Sequence, residues 1–440
     1  MIACGSQIIL CDCPVRIDTY KGCSHACKYC FVQRKTDITK IEKDNCVKQL
    51  RDFINGKRNE MTKWCDWGIP LHWGGMSDPF QPCEKVHRVS FEVLKIFAET
   101  KYPFIVSTKG KMICDDEYLN LLRQCNAVVQ VSMVCTKYDV LEKGAPKYSE
   151  RLEMLRKLVG NCKRVIVRIQ PYMTEVFEDV MQSLDEYAKI GIYGITIEGM
   201  KFVKPKQGLI KVGGDFVYPK HILKKDYEAI KEKCHSLGLA FMCAENRLRT
   251  MGDSMTCCGC DGVEGFKTNK YNLERIYNGE KVEATERMKE PGTAGCFKTI
   301  YQSAGSSKFL RSKSFVDIMD SREIFDSYEP VIFGNFERSN SPEDRLKFTK
   351  WLKSTGIKAK DIEELTGTQM HSHWLCVQLD GQTEIPTPEM FEKLLKSPKI
   401  KIVPNYIKEL VYGFEFYKKN KYNEIMRGKM TDTKSEMNGE

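Results

Sequence analysis

Long apolar runs and targeting signals are what this sequence most clearly lacks. No stretch approaches the roughly 20 consecutive apolar residues that a membrane-spanning helix needs, and residues 1–23 contain no basic segment followed by a long apolar one. Hydrophobic residues make up 42% and charged residues 29% of the 440 residues, as in ordinary globular proteins. We therefore expect a cytoplasmic protein without a membrane segment, with two domains or one domain and an appendage.

Cysteine, in contrast, is abundant, with 20 residues in the chain. Without a secretion signal we expect a reducing compartment, in which so many thiols do not serve as disulfides. Several cysteines are clustered in the sequence, and such clusters are better explained by binding of a metal ion or an iron–sulfur cluster. The scattered cysteines are expected to be small buried apolar residues.

The net charge of +10 is unevenly distributed along the chain. Residues 306–440 contain 22 Lys and Arg against 21 Asp and Glu, so that +9 belongs to the first 305 residues. A basic excess on the part expected to hold the active site is compatible with a polyanionic substrate. A solvated surface has the same composition, however, so the charge does not demand one.

Short apolar runs alternate with amphipathic stretches from about residue 14 to residue 243. The runs are PVRIDTY (14–20), IPLHWGG (69–75), PFIVSTK (103–109), AVVQVSM (127–133), RVIVRIQ (164–170), YGITIEG (193–199) and LAFMCAE (239–245). Between them, KVHRVSFEVLKIFAET (85–100) and YSERLEMLRKLVGN (148–161) have apolar residues at helical spacing. This alternation predicts an α/β fold, a full or partial (β/α) barrel whose chemistry lies at the carboxyl ends of the strands.

Changes in this pattern predict four regions. Residues 1–245 are expected to form the barrel, and residues 246–310 a Cys- and Gly-rich segment tied to a metal or cluster. Residues 311–417 are predicted to form a small α-helical domain. The polar, Lys-rich residues 418–440 are predicted to be a flexible tail.

The motif GCSHACKYCF places Cys23, Cys27 and Cys30 in a loop directly after the first strand. Three closely spaced thiolates can bind three irons of a [4Fe–4S] cluster and leave the fourth iron without a protein ligand. Such an open iron can chelate S-adenosylmethionine (SAM), and an electron delivered there by an external donor such as flavodoxin or ferredoxin cleaves it to a 5′-deoxyadenosyl radical. A zinc site is the alternative, but zinc normally takes four ligands in paired motifs.

The segment CDCPVRIDTYKGCSHACKYCFVQRK resembles the beginning of radical SAM proteins related to spore photoproduct lyase. The likeness continues through WGGMSDPFQPCEK, STKG, VSM and EKGAPKYSERLEMLRKL, over about residues 10–200. The resemblance implies a radical SAM barrel that binds one [4Fe–4S] cluster and SAM.

Candidate SAM-binding residues follow from the motif and from position on the barrel. Tyr29 is expected to pack near the adenine, and glycine at Gly74 and Gly75 lets a backbone carbonyl approach the SAM ammonium. The remaining candidates are polar residues at the ends of the third to sixth strands: Ser107, Lys109, Ser132, Arg168 and Glu198. Each of these polar residues is equally compatible with a surface or loop position.

A hydrogen-donor cysteine of the spore photoproduct lyases aligns with Gly75, so this chain departs from the family at that point. Cys83 and Cys135 are the nearest substitutes. Either thiol could return a hydrogen atom to a radical if it is accessible, or be inert if it is buried. The departure puts thymine-dimer repair in doubt, but not radical SAM chemistry.

A second metal site is predicted from cysteines outside the resemblance. The candidate ligands are Cys243, Cys257, Cys258, Cys260 and Cys296. A second [4Fe–4S] cluster is favoured and zinc is the alternative, because thiolate sites suit both. Cys243 ends a strand and is expected to point toward the barrel mouth.

The segment KAKDIEELTGTQMHSHW has the helix–Gly–helix spacing of a helix-turn-helix and resembles the ends of phage-type DNA-modification proteins. It predicts that Gln369, His371 and His373 face base edges and that Lys358 and Lys360 face phosphates. A small helical packing module is the alternative. The near-neutral charge of the region disfavours strong binding to a DNA backbone.

These patterns predict a radical SAM enzyme that abstracts hydrogen from a nucleic acid, most plausibly DNA, for base modification or lesion repair. Radical modification of a peptide or small metabolite is the first alternative. The second is not an enzyme but a DNA-binding redox sensor that uses its iron–sulfur cluster as the sensing group. Reductive cleavage of SAM distinguishes the enzymes from the sensor.

Overall fold

The computed structural model describes most of the first 267 residues and a few short pieces beyond them. The described residues are 2–4, 13–34, 36–58, 62, 69–212, 215–254, 256–267, 286–291 and 314, with the backbone of 329–333, 377–379, 382–384 and 400–404. The chain divides into two compact units, residues 1–210 with 216–269 and residues 211–215 with 270–440.

The first unit is built on a sheet of eight strands. The strands between residues 2 and 243 are β1 (Ile2–Cys4), β2 (Val15–Ile17), β3 (Tyr20–Lys21), β4 (Glu42–Lys43), β5 (Leu71–Trp73), β6 (Phe104–Thr108), β7 (Ala127–Ser132), β8 (Arg164–Tyr172), β9 (Gly194–Gly199), β10 (Lys201–Phe202), β11 (Ile210–Val212), β12 (Asp215–Val217) and β13 (Ala240–Cys243). The sheet order is β1-β2-β5-β6-β7-β8-β9-β13. All neighbours are parallel except β1, which pairs antiparallel with β2.

Helices connect the parallel strands. They are α1 (Cys46–Ile54), α2 (Glu84–His87), α3 (Val89–Thr100), α4 (Asp116–Leu122), α5 (Tyr148–Leu158), α6 (Phe177–Ile190), α7 (Lys220–Ser236) and, in the second unit, α8 (Glu286–Lys289). Short 3-10 helices cover Phe31–Arg34, Lys111–Cys114, Thr136–Tyr138, Thr174–Val176 and Asn246–Met251. Each of the seven predicted apolar runs contains one parallel strand, which confirms the α/β fold in the form of a partial barrel.

The predicted helix over residues 85–100 is two helices in the structure. The break falls at Arg88, whose φ of +50° is in the left-handed region and so ends α2 before α3 begins. The Arg88 guanidinium instead binds Glu117 through two 2.7 Å hydrogen bonds and lies over the Phe91 ring. The helical periodicity of the sequence continues through this break, and therefore does not reveal it.

Side chains along each strand point alternately to the inner and the outer face of the sheet. On the outer face, Trp73 is fully buried with its ring 5.3 Å from Phe80, 5.9 Å from Phe97 and 5.8 Å from Phe104. Phe97 of α3 stacks on Phe104 of β6 at 4.1 Å. This aromatic cluster fixes the helix layer against the strands, because aromatic side chains bury the largest apolar areas.

The amino ends of the strands are closed by residues 256–266. Arg164, the first residue of β8, donates hydrogen bonds to the carbonyls of Gly259 at 2.9 Å and Asp261 at 2.7 Å. Gly259 has a φ of +67°, and a Cβ there would lie 2.0 Å from Ile166 Cδ1, so any other residue would be strained and would displace the Ile166 side chain. Inside the barrel this segment packs on one apolar cluster, which contains Cys13, Ile105, Val128, Ile166, Met242, Cys258, Cys260 and Val263.

In the second unit the described strands form a sheet. They are β14 (Glu329–Phe333), β15 (Val377–Leu379), β16 (Gln382–Glu384) and β17 (Ile400–Pro404), in the order β16-β15-β14-β17. Residues 311–417 were expected to form an α-helical domain, and this sheet was not predicted. Its apolar, β-branched runs PVIF and IKIV are of the composition that favours strands.

Candidate active site at the carboxyl ends of the strands

The three predicted cluster ligands lie in one loop between β3 and β4, which pair as an antiparallel hairpin. Cys27 is buried, whereas Cys23 and Cys30 are half-buried. Backbone hydrogen bonds fold the loop tightly, from Cys23 N to Ile38 O at 2.9 Å and from Cys30 N to Cys27 O at 3.0 Å. The loop follows the parallel strand β2, so it lies at the carboxyl end of the sheet, as predicted.

The loop that carries Cys23, Cys27 and Cys30 is called the cluster loop below. The loop after β5 contacts it from one side. The Gln81 side chain accepts from Ser24 N at 2.8 Å and donates to Gly22 O at 3.2 Å. His25 Nδ1 lies 3.4 Å from Asp78 Oδ2, and both side chains are buried. Two side chains from one neighbouring loop therefore fix the backbone around Cys23 and Cys27.

The loop after β7 holds the cluster loop from the other side. Lys28 N donates to Leu141 O at 2.9 Å, and Gly144 N donates to His25 O at 3.3 Å. A Cβ at Gly144 would lie 2.2 Å from Ser24 O, so the two loops are in direct backbone contact. The Tyr29 hydroxyl donates to the Glu142 carboxylate, which is almost fully buried.

Burial keeps two thiols of the cluster loop in their neutral form. Burial raises the pKa of Cys23 to about 12, and it also raises the pKa of Cys27 against the opposing charge of Lys109. Both thiols are therefore protonated at neutral pH when nothing is bound. A bound metal would supply the positive charge that thiolate formation needs, so metal binding at these thiols would release protons.

A polar layer lies inside the barrel below the cluster loop. His72 Nε2 is 2.9 Å from Ser107 Oγ, which donates to Gln130 Oε1 at 2.8 Å, and Arg168 Nη1 reaches the same oxygen at 3.0 Å. Burial and the charge of Arg168 lower the pKa of His72 to about 3, so the imidazole is neutral. Strand register places Ser107 beside Gln130 on one face of the sheet.

Several polar atoms of this layer have no partner. Among the described residues, Gln130 Nε2, Gln170 Oε1 and Thr196 Oγ1 are buried without a hydrogen bond. The other half of the Gln170 amide donates to Glu198, which also accepts from Lys201 at 2.6 Å. Buried donors and acceptors are normally satisfied. A ligand rich in amino, carboxylate and hydroxyl groups, such as SAM, fits these unused positions.

The two predicted glycines after β5 differ in their surroundings. Gly74 has a φ of +88°, and a Cβ there would lie 2.5 Å from Ser107 O, so the turn itself requires glycine. At Gly75 the nearest atom to a Cβ would be Arg16 Cδ at 3.5 Å, an ordinary contact. The protein alone therefore leaves room for a side chain at Gly75. A ligand bound at this position would explain why the residue is glycine.

Three further predicted SAM-binding residues contact one buried network. Lys109 Nζ lies 3.8 Å from Glu142 Oε1 and 5.9 Å from the centre of the Tyr29 ring. Arg151 pairs with Glu142 and donates to Ser132 O at 2.7 Å. The structure therefore connects Tyr29 of the cluster loop with Lys109 and Ser132 through the buried pair of Glu142 and Arg151.

Asp78 is a buried carboxylate at this end of the barrel and accepts hydrogen bonds from the neighbouring strand β6. It accepts from Thr108 Oγ1 at 2.7 Å and from Lys109 N at 2.6 Å. Burial opposes its ionisation, but His25 and these hydrogen bonds lower the pKa of Asp78 from 3.8 to about 2.

Replacing this carboxylate by an amide tests its contribution to stability. Because its folded pKa is lowered, ionised Asp78 stabilises the fold above pH 3.8, and that contribution is lost as the pH falls toward 2. We expect Asp78→Asn to lower the free energy of unfolding by about 2 kcal/mol at pH 7. Urea unfolding of both proteins from pH 7 to pH 3 measures it. A stability difference that does not shrink on acidification would contradict this origin.

The two predicted hydrogen-donor thiols lie in different places. Cys135 is 3% exposed, follows β7 and precedes the 3-10 helix Thr136–Tyr138. Cys83 is half-buried and immediately precedes α2, where burial and Glu84 raise its pKa to about 11. Cys83 is therefore the more accessible thiol, and both assignments remain predictions.

The predicted ligands of a second metal site are spread over two faces of the sheet. Met242 packs inside the barrel, so the next residue, Cys243, points to the opposite face because side chains alternate along a strand. Cys258 and Cys260 lie inside the barrel, and Cys257 Sγ is 3.8 Å from Cys258 Sγ. Cys296 lies outside the described residues.

The charge state of Cys257 distinguishes it from the other thiols of this segment. A hydrogen bond from the Cys258 thiol, aided by Arg249 and Arg168 and opposed by burial, lowers the pKa of Cys257 to about 6. In the part of the chain that the structure describes, no three His, Cys, Asp or Glu side chains are grouped as ligands of one metal ion.

Sequence reasoning missed several residues of the site. His72, Gln130, Gln170 and Thr196 all interrupt apolar strands at inward-facing positions. Polar residues at every second position of a buried strand are a signal that could have found them. The signal for Arg151 is weaker, because it lies on a helix with other charged residues around it.

The predicted DNA-reading segment, with Lys358, Lys360, Gln369, His371 and His373, lies outside the described residues. Among the helices that the structure describes, none is long and apolar enough to cross a membrane.

Fold and site together define a partial α/β barrel with a three-thiol loop over its carboxyl end and an incompletely satisfied polar interior. No known protein family matches the sequence. The chain is 24% identical over 205 residues to uncharacterized proteins of Mycobacterium bovis and Mycobacterium tuberculosis, which covers 42% of this chain and 58% of each relative. An uncharacterized protein of Acidianus two-tailed virus is 26% identical over 196 residues, 39% of this chain and 62% of the relative. The match thus spans less than two thirds of these relatives.

Solved structures of radical SAM enzymes resemble part of the chain. A spore photoproduct lyase mutant with dinucleoside spore photoproduct has a TM-score of 0.43 and 16% identity, over 52% of this chain and 76% of that one. Streptococcus suis SuiB bound to precursor peptide SuiA has a TM-score of 0.38 and 13% identity, over 52% and 48%. The radical SAM methyltransferase TsrM from Kitasatospora setae has a TM-score of 0.35 and 13% identity, over 50% and 51%.

Proposed function

We propose that this protein is a radical SAM enzyme. The observation that carries the proposal is the loop of Cys23, Cys27 and Cys30, held over the carboxyl end of a parallel barrel by neighbours on both sides. Below it, Gln130, Gln170 and Thr196 present buried polar atoms without protein partners. When bound, a [4Fe–4S] cluster and SAM supply a 5′-deoxyadenosyl radical that abstracts hydrogen from the substrate.

The residues of the chain have distinct roles in this proposal. Cys23, Cys27 and Cys30 would hold a [4Fe–4S] cluster, to which they supply three thiolate ligands. Arg168, steadied by Gln130, is placed to bind a carboxylate, and Glu198 with Gln170 is placed to bind amino or hydroxyl groups. Tyr29, Lys109 and Ser132 line the same end, Gly74 forms the turn after β5, and Gly75 leaves room for a ligand to approach the backbone. The electron comes from an external one-electron donor such as flavodoxin or ferredoxin.

We further propose that the substrate is a nucleic acid, most plausibly DNA, in the cytoplasm. The net charge of +9 on the first 305 residues suits a polyanionic partner. The likeness of the C-terminal segment to DNA-modification proteins, drawn from the sequence, supports the same choice. A base inside a duplex would have to be extruded or presented single-stranded to reach the barrel mouth.

Release of 5′-deoxyadenosine by the anaerobically reconstituted and reduced protein, with and without mixed-sequence DNA, tests both parts of the proposal. We expect release, and a marked stimulation by DNA. Release that DNA does not change would keep the radical SAM assignment and redirect the substrate to peptides or small metabolites. No release from a protein whose cluster is present and reducible would favour an iron–sulfur redox sensor.

A further inference from the structure

Arg16 is a basic residue on the inner wall of the barrel. It is the middle residue of β2, between Val15 and Ile17, which are both fully buried. Ile17 pairs in register with Trp73 of the outer aromatic cluster, so Ile17 faces outward and Arg16 faces inward. A Cβ at Gly75 would lie 3.5 Å from Arg16 Cδ. The Arg16 side chain therefore extends along the inner wall to the turn after β5.

The guanidinium of Arg16 makes a long ion pair with Asp18. Arg16 Nε lies 3.9 Å from Asp18 Oδ2, which is beyond hydrogen-bond distance. The other oxygen of Asp18 accepts from Met76 N at 2.8 Å and from Ser77 N at 3.3 Å. Burial raises the pKa of Asp18 although these hydrogen bonds and Arg16 oppose the change, so the ion pair is a weak one. With 35% of its side chain exposed, Arg16 can offer its N–H donors to a ligand.

A second guanidinium, that of Arg168, belongs to the same inner layer. Arg168 Nη1 donates to Gln130 Oε1 at 3.0 Å. Through Ser107 this oxygen is connected to His72, which is the register partner of Arg16 on β5. Burial and the charges of Arg168 and Arg16 lower the pKa of His72 to about 3, so the imidazole adds no charge. The layer therefore contains two cations and three neutral side chains, surroundings that suit an anionic ligand.

The two guanidinium groups are available to different anions. In the proposed function Arg168 binds the carboxylate of SAM, which is the only carboxylate of that molecule. Arg16 is therefore available to an anionic group of the substrate. A planar guanidinium binds phosphate through two parallel hydrogen bonds. A nucleotide that is extruded into the barrel mouth brings its phosphates with it.

We propose that Arg16 binds a backbone phosphate of the nucleic-acid substrate and so positions the target nucleotide beside Gly75. Glycine at this position leaves space next to Arg16 that a side chain would otherwise occupy. The inference rests on the proposed function for the class of substrate, but it does not depend on cleavage of SAM.

Binding of a fluorescent single-stranded oligonucleotide of mixed sequence tests the role of Arg16. The protein is full-length, anaerobically reconstituted and unreduced, so no radical is formed, and fluorescence anisotropy gives Kd at several salt concentrations. We expect Arg16→Gln to raise Kd about tenfold, because a hydrogen bond to a charged group is lost. The slope of log Kd against log salt should fall by about 0.7, the contribution of one phosphate contact to single-stranded DNA. Arg16→Lys keeps the charge and should keep the slope.

Arg51→Gln is the matched control. Arg51 lies on α1, where its side chain is 52% exposed and pairs with Glu99, so this variant should bind the oligonucleotide as the wild type does. Three results would each overturn the inference: an unaltered Kd in Arg16→Gln, a higher Kd with an unaltered slope, or no binding of the oligonucleotide by the wild type. Release of 5′-deoxyadenosine alongside any of them would leave the radical SAM assignment standing.

A change of ligand replaces the change of residue if Arg16→Gln does not fold. The wild type is then titrated with a dinucleoside monophosphate and with its uncharged methylphosphonate analogue. We expect the analogue to bind about tenfold more weakly, because it lacks the charge that the guanidinium contacts. Equal affinities, or no binding of either compound, would overturn the role of Arg16.

Discussion

Replacing Cys23, Cys27 and Cys30 together by Ala is expected to abolish 5′-deoxyadenosine release completely. The three thiols are the only cysteines on this loop in the sequence, so the loop offers no thiolate to a cluster without them. The loop itself should survive, because Gln81 and Leu141 contact its backbone and Asp78 contacts its His25 side chain, and the substitution leaves all these atoms in place. Iron content and 5′-deoxyadenosine release under reducing conditions measure the effect.

Cys46→Ala is the matched control for this triple variant. Cys46 is a fully buried thiol at the beginning of α1 and faces none of the site residues discussed above. We expect it to keep both iron and turnover. SAM cleavage that persisted in the triple variant would show that the cluster is held elsewhere, and would remove the foundation of the proposed function.

Arg151→Ala is expected to lower the free energy of unfolding by about 3–5 kcal/mol. The side chains of Arg151 and Glu142 are each 1% exposed and form an ion pair, so loss of the guanidinium leaves a buried carboxylate with only Tyr29 and Lys109 as partners. The hydrogen bond to Ser132 O disappears as well. Urea unfolding monitored by circular dichroism measures the change.

Two further variants separate this effect from general damage to α5. Arg156 lies on the same helix, where it is 44% exposed and pairs with Glu186, so Arg156→Ala should cost no more than about 1 kcal/mol. Combining Arg151→Met with Glu142→Gln removes both charges and should be less harmful than Arg151→Ala. Equal losses in Arg151→Ala and Arg156→Ala would mean that the buried pair is not what stabilises this region.

The parallel sheet could be predicted because its strands are buried on both faces. Such strands are continuous apolar runs, and the helical stretches between them have a different period. The break at Arg88 and the short strands of the second unit were not predicted. A single residue in the left-handed conformation does not disturb the helical spacing of its neighbours, and the runs at Glu329–Phe333 and Ile400–Pro404 are short.

The candidate site was predictable in part, because some of its residues lie close together in the sequence. The three cysteines of the cluster loop are local in sequence, so their spacing alone indicates what they bind. Gln130, Gln170 and Thr196 carry no such local signal, because each is one polar residue within an apolar strand. Their shared role depends on strand register, which brings residues from β7, β8 and β9 to the same face of the sheet.

The sequence by itself determined the alternation of strands and helices, the three-thiol loop and the position of that loop after the first parallel strand. These features depend on residues close together in the chain, where periodicity and spacing are physical constraints. Only the tertiary structure decided that Glu142 and Arg151 form a buried pair under Tyr29, that Cys13 meets Cys260, and that Cys243 faces away from both. Such contacts join segments far apart in the chain, and packing chooses among the many partners that composition allows.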